Sequence, residues 1–462
     1  MRVIKQGDSR VTKIIYKKNL NPEAQYRLSI FTYLYQSQGR YLIRNTLTFE
    51  IVELTAPEWK ALSSLKESPA GLAYLEANGL IELARSYYII PAEESELKQY
   101  EKILFLLKTM AGSPKGMESY VILPTTGCNA RCTYCFEEGI ATKTMSPKTV
   151  ERLVDFICET RYKEKYKPIK IRWFGGEPLA AAAIITRICT SLSQRDIPYR
   201  STMVTNGTLL TAEMAKEAKE LWHLEKVQVS LDGAREDYEL RKNYVAPNKH
   251  NYDAAMRAIH FFSEQGIHVN LRVNVDFENI GRIPEFFKEL KAEFGSMENI
   301  DTYLAPLFQE KEKEESFMNL YGEIFRLTDL QDEMKIPRTT RSLHETHFLR
   351  TNMCMADAMG QSIVITPDGI FNNCEHLPEK QTWGNIFDGV TDPETEKKLS
   401  AKTSIDPICA KCTFLPECTP YFKTGCSGWF SKCYEYYCLR TEYNLGKLLK
   451  GVDVESNGDE EI

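Results

Sequence analysis

No cysteine occurs in the first 127 residues, although the 462-residue chain holds 13. No apolar run approaches the about 20 residues that a membrane helix needs, and the clean ones are as short as ILFLL at 103–107. Basic excess is missing too. The net charge is −6, which leaves no broad basic footprint for nucleic acid. Residues 1–5 are polar and strand-like without an apolar core segment, so a secretory signal is not expected. These absences predict a cytoplasmic protein with neither membrane nor nucleic acid as partner. Cytosolic thiols stay reduced, which argues against a disulfide framework. Clustered cysteines in such a chain bind metal or do catalysis. Three sit at 128–135, Cys158 and Cys189 stand alone and are expected in the core, and eight lie between 354 and 438.

With 43% hydrophobic residues the chain can bury a large core, and its length suggests roughly three domains of about 150 residues. In residues 1–110, QYRLSIFTYLY and RYLIRNTLTFEIVEL read as strands around a QSQG turn. TAPEWKALSSL carries Thr55 as helix cap with Glu58 three residues on, SPAGLAYLEANGLI is a second helix ending near Gly79, and LARSYYIIPA reads as a returning strand. This composition suggests a winged-helix-like module. Residues 111–337 repeat a strand–helix unit six times, from ESYVILPTT to FMNLYGEIFRLTDLQDEM. Such a run implies an α/β fold with a parallel sheet and helices packed outside it. Six units fall short of the eight-unit barrel, so a partial, open (β/α)6 barrel is expected, with ligands at the carboxyl ends of its strands. Over 338–450 periodicity fades, and the order is expected to come from metal. The acidic 451–462 reads as a disordered tail.

The stretch TTGCNARCTYCFEEG (125–139) spaces Cys128, Cys132 and Cys135 as C-x3-C-x2-C directly after the first strand of the repeat. Thiolates in this density suit zinc or an iron–sulfur cluster. A structural zinc takes four protein ligands, so three leave one corner open. WFGGEP (173–178) closes the second strand. Gly175 and Gly176 put no side chain in the way of a close approach, and Glu177 can accept a bond from an ammonium group. Further strand ends carry TNG (205–207, with Asn206) and SLDG (230–233, with Ser230). These offer amide, hydroxyl and carboxylate groups to a ligand, or serve as plain turns.

C-x3-C-x2-C after the first strand with GGEP after the second resembles the radical S-adenosylmethionine (SAM) superfamily, over about residues 116–310. The resemblance implies that Cys128, Cys132 and Cys135 hold a [4Fe–4S] cluster whose vacant iron binds SAM. One electron then cleaves the sulfonium, and a 5′-deoxyadenosyl radical abstracts hydrogen from the substrate. It further implies Tyr134 and Phe136 beside the adenine and Gly175, Gly176 and Glu177 at the methionine amine. Asn206 belongs among the cofactor contacts, and Ser230 and Arg241 would meet the carboxylate or ribose.

Between 350 and 440, Gly369 and Cys374 form G-x4-C, and CAKCTFLPEC forms C-x2-C-x5-C. This resembles the SPASM extension, which carries two auxiliary [4Fe–4S] clusters. The family pattern assigns Cys409, Cys412, Cys418 and Cys438 to one cluster and Cys354, Cys374 and Cys426 to the other. The usual cysteine four positions after Cys418 is replaced by Phe422, which leaves the roles of Cys426, Cys433 and Cys438 open. The second of these clusters has three thiolates unless Cys433, His344 or His347 completes it. Two four-thiolate zinc sites would use the same eight cysteines.

SPASM enzymes commonly modify ribosomally made peptides, and residues 1–110 resemble the leader-recognition domain of such maturases, where a peptide adds as a strand. A dimerisation or packing role is the alternative. Anaerobic sulfatase-maturating enzymes usually place an aspartate base directly after the G-x4-C cysteine; this chain has Glu375 there, which lowers that reading. An open auxiliary iron would hold a substrate thiolate. The expectation is therefore a maturase that forms cysteine thioether crosslinks in a precursor peptide, fed by a flavodoxin or ferredoxin. Carbon–carbon crosslinking, epimerisation, formylglycine formation and a non-catalytic Fe–S scaffold are the alternatives.

Overall fold

The computed structural model describes residues 1–111, 116–162, 167–246, 250–307, 314–339, 349, 361–372, 374–375, 382–400, 405, 407–418 and 433–450. They divide into two compact units. One comprises Met1–Ser113, Leu343–Met353 and Lys402–Ile462, the other Pro114–Ser342 and Cys354–Ala401.

The larger unit holds the repeat. Strands β1 (Ser119–Ile122), β2 (Ile169–Trp173), β3 (Tyr199–Thr205), β4 (Leu224–Leu231), β5 (His268–Val275) and β6 (Ile300–Pro306) alternate with helices. These are α1 (Pro147–Thr160), α2 (Ala182–Gln194), α3 (Ala212–Glu220), α4 (Arg235–Lys242), α5 (Asn251–Glu264), α6 (Ile283–Phe294) and α7 (Glu314–Glu333). The six units stand as expected, and β1 to β6 pair in parallel in chain order. The sheet then runs on past the expected sixth unit. A seventh strand, β7 (Ser362–Ile365), pairs in parallel with β1, and β8 (Phe371–Asn372) pairs antiparallel with β7. The eight-stranded order is β6-β5-β4-β3-β2-β1-β7-β8, with β6 and β8 at the edges.

Alternation within the strands explains which face is which. Val227, Val229 and Leu231 of β4 and Val269, Leu271, Val273 and Val275 of β5 are fully buried. Each such side chain contributes roughly 1.5–3 kcal/mol when buried. The intervening residues on the opposite face are polar: Gln228, Ser230, Asn270, Arg272 and Asn274. A sheet that is apolar on one side and polar on the other has a core on the first and a site on the second. The helices follow the same logic. In α1, Ser146 accepts from the Thr149 N–H as N-cap, Pro147 opens the helix, and Val150, Leu153, Val154 and Ile157 make the buried stripe.

In the smaller unit the two expected strands are divided. Gln25–Leu28, Thr32–Ser37, Arg40–Asn45 and Ile51–Leu54 are separate. Gln38 and Gly39 both take positive φ, at 50° and 74°, the two-residue turn that lets Ser37 pair with Arg40. Helix Ala56–Ser64 carries the full Thr55–Glu58 capping box. The returning strand is shorter than expected. Ile81–Arg85 is helical, and only Ile89–Pro91 is extended. Helix Cys433–Leu449 places Leu445 against Leu42 and Ile51 of this sheet. Glu417, with a fully buried side chain, lies between Arg44 and Arg440. Cys189 is in the core as expected, whereas Cys158 is only half-buried.

Candidate functional site

The loop that leaves β1 carries Cys128, Cys132 and Cys135, all free and half-buried. Burial pushes the Cys128 thiol up to about 12, and the neighbouring Cys132 and Cys135 add to the rise. Burial also raises Cys132 and Cys135. The three sulfurs therefore lie within electrostatic reach of one another. Among the described residues no group of three or more His, Cys, Asp or Glu side chains is placed to hold a single metal ion.

Backbone bonds fix this loop. Arg131 N–H donates to the Lys242 and Asn243 carbonyls, each at 3.0 Å, and Thr133 N–H donates to the Arg241 carbonyl at 3.0 Å. Asn243, with φ of 44°, ends α4 in the left-handed region and turns the chain toward the loop. The Asn206 amide donates to Asn129 Oδ1 at 2.8 Å, and the Asn129 amide donates to Thr208 Oγ1 at 2.9 Å. TNG thus anchors the cysteine loop through Asn206.

The GGEP segment packs directly on it. A Cβ on Gly176 would stand 2.5 Å from the Gly127 and Thr126 carbonyl oxygens, and one on Gly175, where φ is +117°, would stand 2.2 Å from Thr125 O. No other residue fits. Glu177 is 1% exposed. It accepts from Leu179 N–H at 3.0 Å, Thr205 Oγ1–H at 2.6 Å and Asn206 N–H at 2.8 Å. Burial raises its pKa against these bonds. The carboxylate expected at an ammonium group therefore joins the ends of β2 and β3.

A buried polar cluster underlies Tyr134. Its hydroxyl donates to Asp232 at 2.7 Å and accepts from Lys242 Nζ and from the Asn274 amide, each at 3.1 Å. Asp232 is fully buried, and Lys242 Nζ lies 3.5 Å from it. Burial pulls the Lys242 ammonium down, but Asp232, Tyr134 and Cys132 outweigh it and hold the pKa well above its usual value. Arg241 is buried and pairs with both oxygens of Asp276, at 3.2 and 2.6 Å. Ser230 is half-buried at the end of β4. Phe136 is 48% exposed and stacks on Phe174 at 6.3 Å. The Arg172 guanidinium lies over the Phe174 ring at 5.7 Å and reaches Glu375 at 3.4 Å. Glu375 Oε2 is buried without a hydrogen-bond partner among the described residues. Cys374 is half-buried beside it.

In the smaller unit Cys409, Cys412 and Cys418 are gathered around a short turn. Burial raises all three thiols, Cys433 adds to the rise in each, and Cys438 adds to that of Cys412. Burial raises the Cys438 thiol, and the neighbouring Tyr33 and Tyr434 hydroxyls work against the rise. Cys354, Cys426, His344 and His347 lie outside the described residues.

Sequence reading missed Asn129, Lys242, Asn274 and Arg172. The signal for Asn274 was present in HVNLRVNV, where polar residues alternate with buried apolar ones.

Residues 122–290 match the family model of the Radical SAM superfamily, so the chain carries a Radical SAM domain. It is 31% identical to the Fe-coproporphyrin III synthase of Methanosarcina barkeri over 172 residues, 37% of this chain and 40% of that protein. The chain thus spans less than half the length of that relative. A cysteine-type anaerobic sulfatase-maturating enzyme of Clostridium perfringens is 25% identical over 67% of this chain and 88% of its own. Two solved structures share the fold. One is anSMEcpe with bound AdoMet (TM-score 0.58, 18% identity, 73% of this chain and 96% of that one). The other is SuiB of Streptococcus suis bound to S-adenosylmethionine (TM-score 0.50, 14% identity, 85% and 94%). The cofactors of this domain type are SAM and a [4Fe–4S] cluster. Three free thiols on one loop have the donor chemistry for that cluster.

Proposed function

We propose that the chain is a radical SAM peptide maturase that installs intramolecular thioether crosslinks between a cysteine sulfur and a carbon of a precursor peptide. The observation that carries this reading is the thiol triad at the carboxyl end of a parallel sheet whose inner face is polar. When bound, the cluster and SAM supply a carbon radical that takes hydrogen from the substrate.

This chain's own residues do the rest. Cys128, Cys132 and Cys135 hold the cluster. Tyr134, fixed by Asp232, Lys242 and Asn274, sets the pitch of their loop. Phe136, with its exposed ring, stacks on the adenine. Gly175 and Gly176 let the second strand end lie flush against the cysteine loop, and Glu177 orients the methionine amine by fixing that backbone. Asn206, Ser230 and Arg241 complete the cofactor contacts. Glu375, with one unpartnered oxygen, takes the proton released from the substrate. Cys354, Cys374 and Cys426 form one auxiliary site. Cys409, Cys412 and Cys418 form the other, with Cys433, whose charge bears on all three thiols, ahead of Cys438 as the fourth. Residues 1–110 hold the leader, for which strand Thr32–Ser37 offers a sheet edge. A flavodoxin or ferredoxin delivers electrons.

Co-expression with a cysteine-rich precursor tests the reading. Each event should remove two hydrogens and one free thiol by mass spectrometry; unchanged mass with a confirmed substrate would falsify it. A second reading, formylglycine formation, is favoured by the sulfatase-maturating relative and weakened by Glu375 standing where such enzymes usually carry aspartate. Its product loses the sulfur outright, which the same spectra separate. A scaffold without catalysis would release no 5′-deoxyadenosine when reduced with SAM.

A further inference from the structure

The polar face of the sheet carries a guanidinium to which the site above gives no role. Arg272 lies in β5, in register with Ser230 of β4 and Tyr303 of β6. Valine and leucine neighbours point the other way, into the helix-covered core. Arg272 Nε donates to Asn274 Oδ1 at 2.9 Å. The amide of Asn274 donates in turn to Tyr134 Oη at 3.1 Å and to Asp232 Oδ1 at 2.8 Å. The guanidinium thus hangs by its inner nitrogen from the hydrogen-bonded layer beneath the cysteine loop. Its planar fork has five N–H donors, and the two terminal nitrogens have no carboxylate partner among the described residues.

A half-buried cation without a counter-charge is costly unless a ligand supplies one. One residue pair along the same face, Asn270 is 2% exposed, and its amide oxygen has no hydrogen-bond partner among the described residues. The two groups are complementary in kind: a fixed two-pronged donor and a buried acceptor, side by side on one strand.

We propose that Arg272 receives a carboxylate of the substrate, an aspartate or glutamate side chain beside the reacting residue, while Asn270 accepts an N–H from the same peptide segment. This rests on the peptide-maturase reading and names the substrate class within it. The bidentate fork selects a carboxylate over its amide isostere, because only the carboxylate offers two acceptor oxygens and a charge.

The test uses full-length, anaerobically reconstituted protein and two fluorescent hexapeptide pools, randomised except for a fixed central Asp in one and Asn in the other. Anisotropy should show the Asp pool binding roughly tenfold tighter, a difference typical of one charge-assisted pair. Arg272→Gln should abolish that preference while leaving SAM affinity, measured by equilibrium dialysis, unchanged. Equal binding of both pools by the wild type overturns the proposal, and this arm needs no variant to fold. A loss of SAM affinity in Arg272→Gln also overturns it, because the guanidinium would then meet the carboxylate of SAM's methionine moiety. The wild-type preparation is scored in parallel for 5′-deoxyadenosine. Its release alongside equal pool binding sinks the carboxylate site alone; no release sinks the maturase reading with it.

Discussion

Cysteines 128–135 and cysteines 409–438 solve one problem in two ways. The first set is held by its surroundings. Strand ends, a helix terminus and the buried Tyr134–Asp232–Lys242–Asn274 cluster all bond to the loop. The second set sits on a short turn and the start of helix Cys433–Leu449. Among the described residues it is supported by the ion pairs of Glu417 with Arg44 and Arg440, by the Thr46 hydroxyl on the Thr413 carbonyl, and by packing of Cys409 and Cys412 on an apolar cluster. The first set is tied to strand ends and to a buried polar cluster of the sheet, whereas the described part of the second is held by ion pairs and apolar packing within the smaller unit.

The sharpest break of this comparison is Cys132→Ala. It should abolish 5′-deoxyadenosine formation and remove about four irons per chain, the content of one cubane, as read by iron assay and chromatography. Next come the two buried ionic supports. Asp232→Asn leaves Lys242 buried without its counter-ion, and Glu417→Gln does the same to two arginines. Each should cost about 3–5 kcal/mol, measured by denaturant unfolding of the metal-free protein. If Glu417→Gln proves the milder of the two, the contrast in anchoring is confirmed at the level of stability. Third, Cys433→Ala should lower the iron content more than Cys438→Ala; the reverse order would restore the family pattern for the last ligand. The smallest effect is expected for Tyr134→Phe. Loss of its hydroxyl bonds should cost about 1 kcal/mol and broaden the EPR signal of the reduced cluster.

How much of this could be read from sequence differed between the regions. The six strand–helix units were legible because each amphipathic helix and each strand carries its own period. Cys128, Cys132 and Cys135 stood out because their spacing falls on the loop after the first strand with GGEP closing the second. Glu177 was legible as important, but its three partners depend on which strand ends meet. Lys242 and Asp232 could not be paired from sequence, since a helix and a strand end ten residues apart reveal no contact until α4 is placed. The seventh strand was missed for a related reason. SIVI is only four residues long, and its partner lies more than 200 residues upstream.

That late partner has a consequence for biogenesis. During synthesis, β1 emerges with one edge unmatched and waits for β7 while the whole six-unit repeat is made. Until then Val121 and Leu123, which later pack with Val364, face an unfinished margin, and exposed strand margins invite pairing between chains. A ribosome-stalled or truncated product ending near residue 340 should therefore depend on chaperones, and its solubility should return once translation passes residue 372.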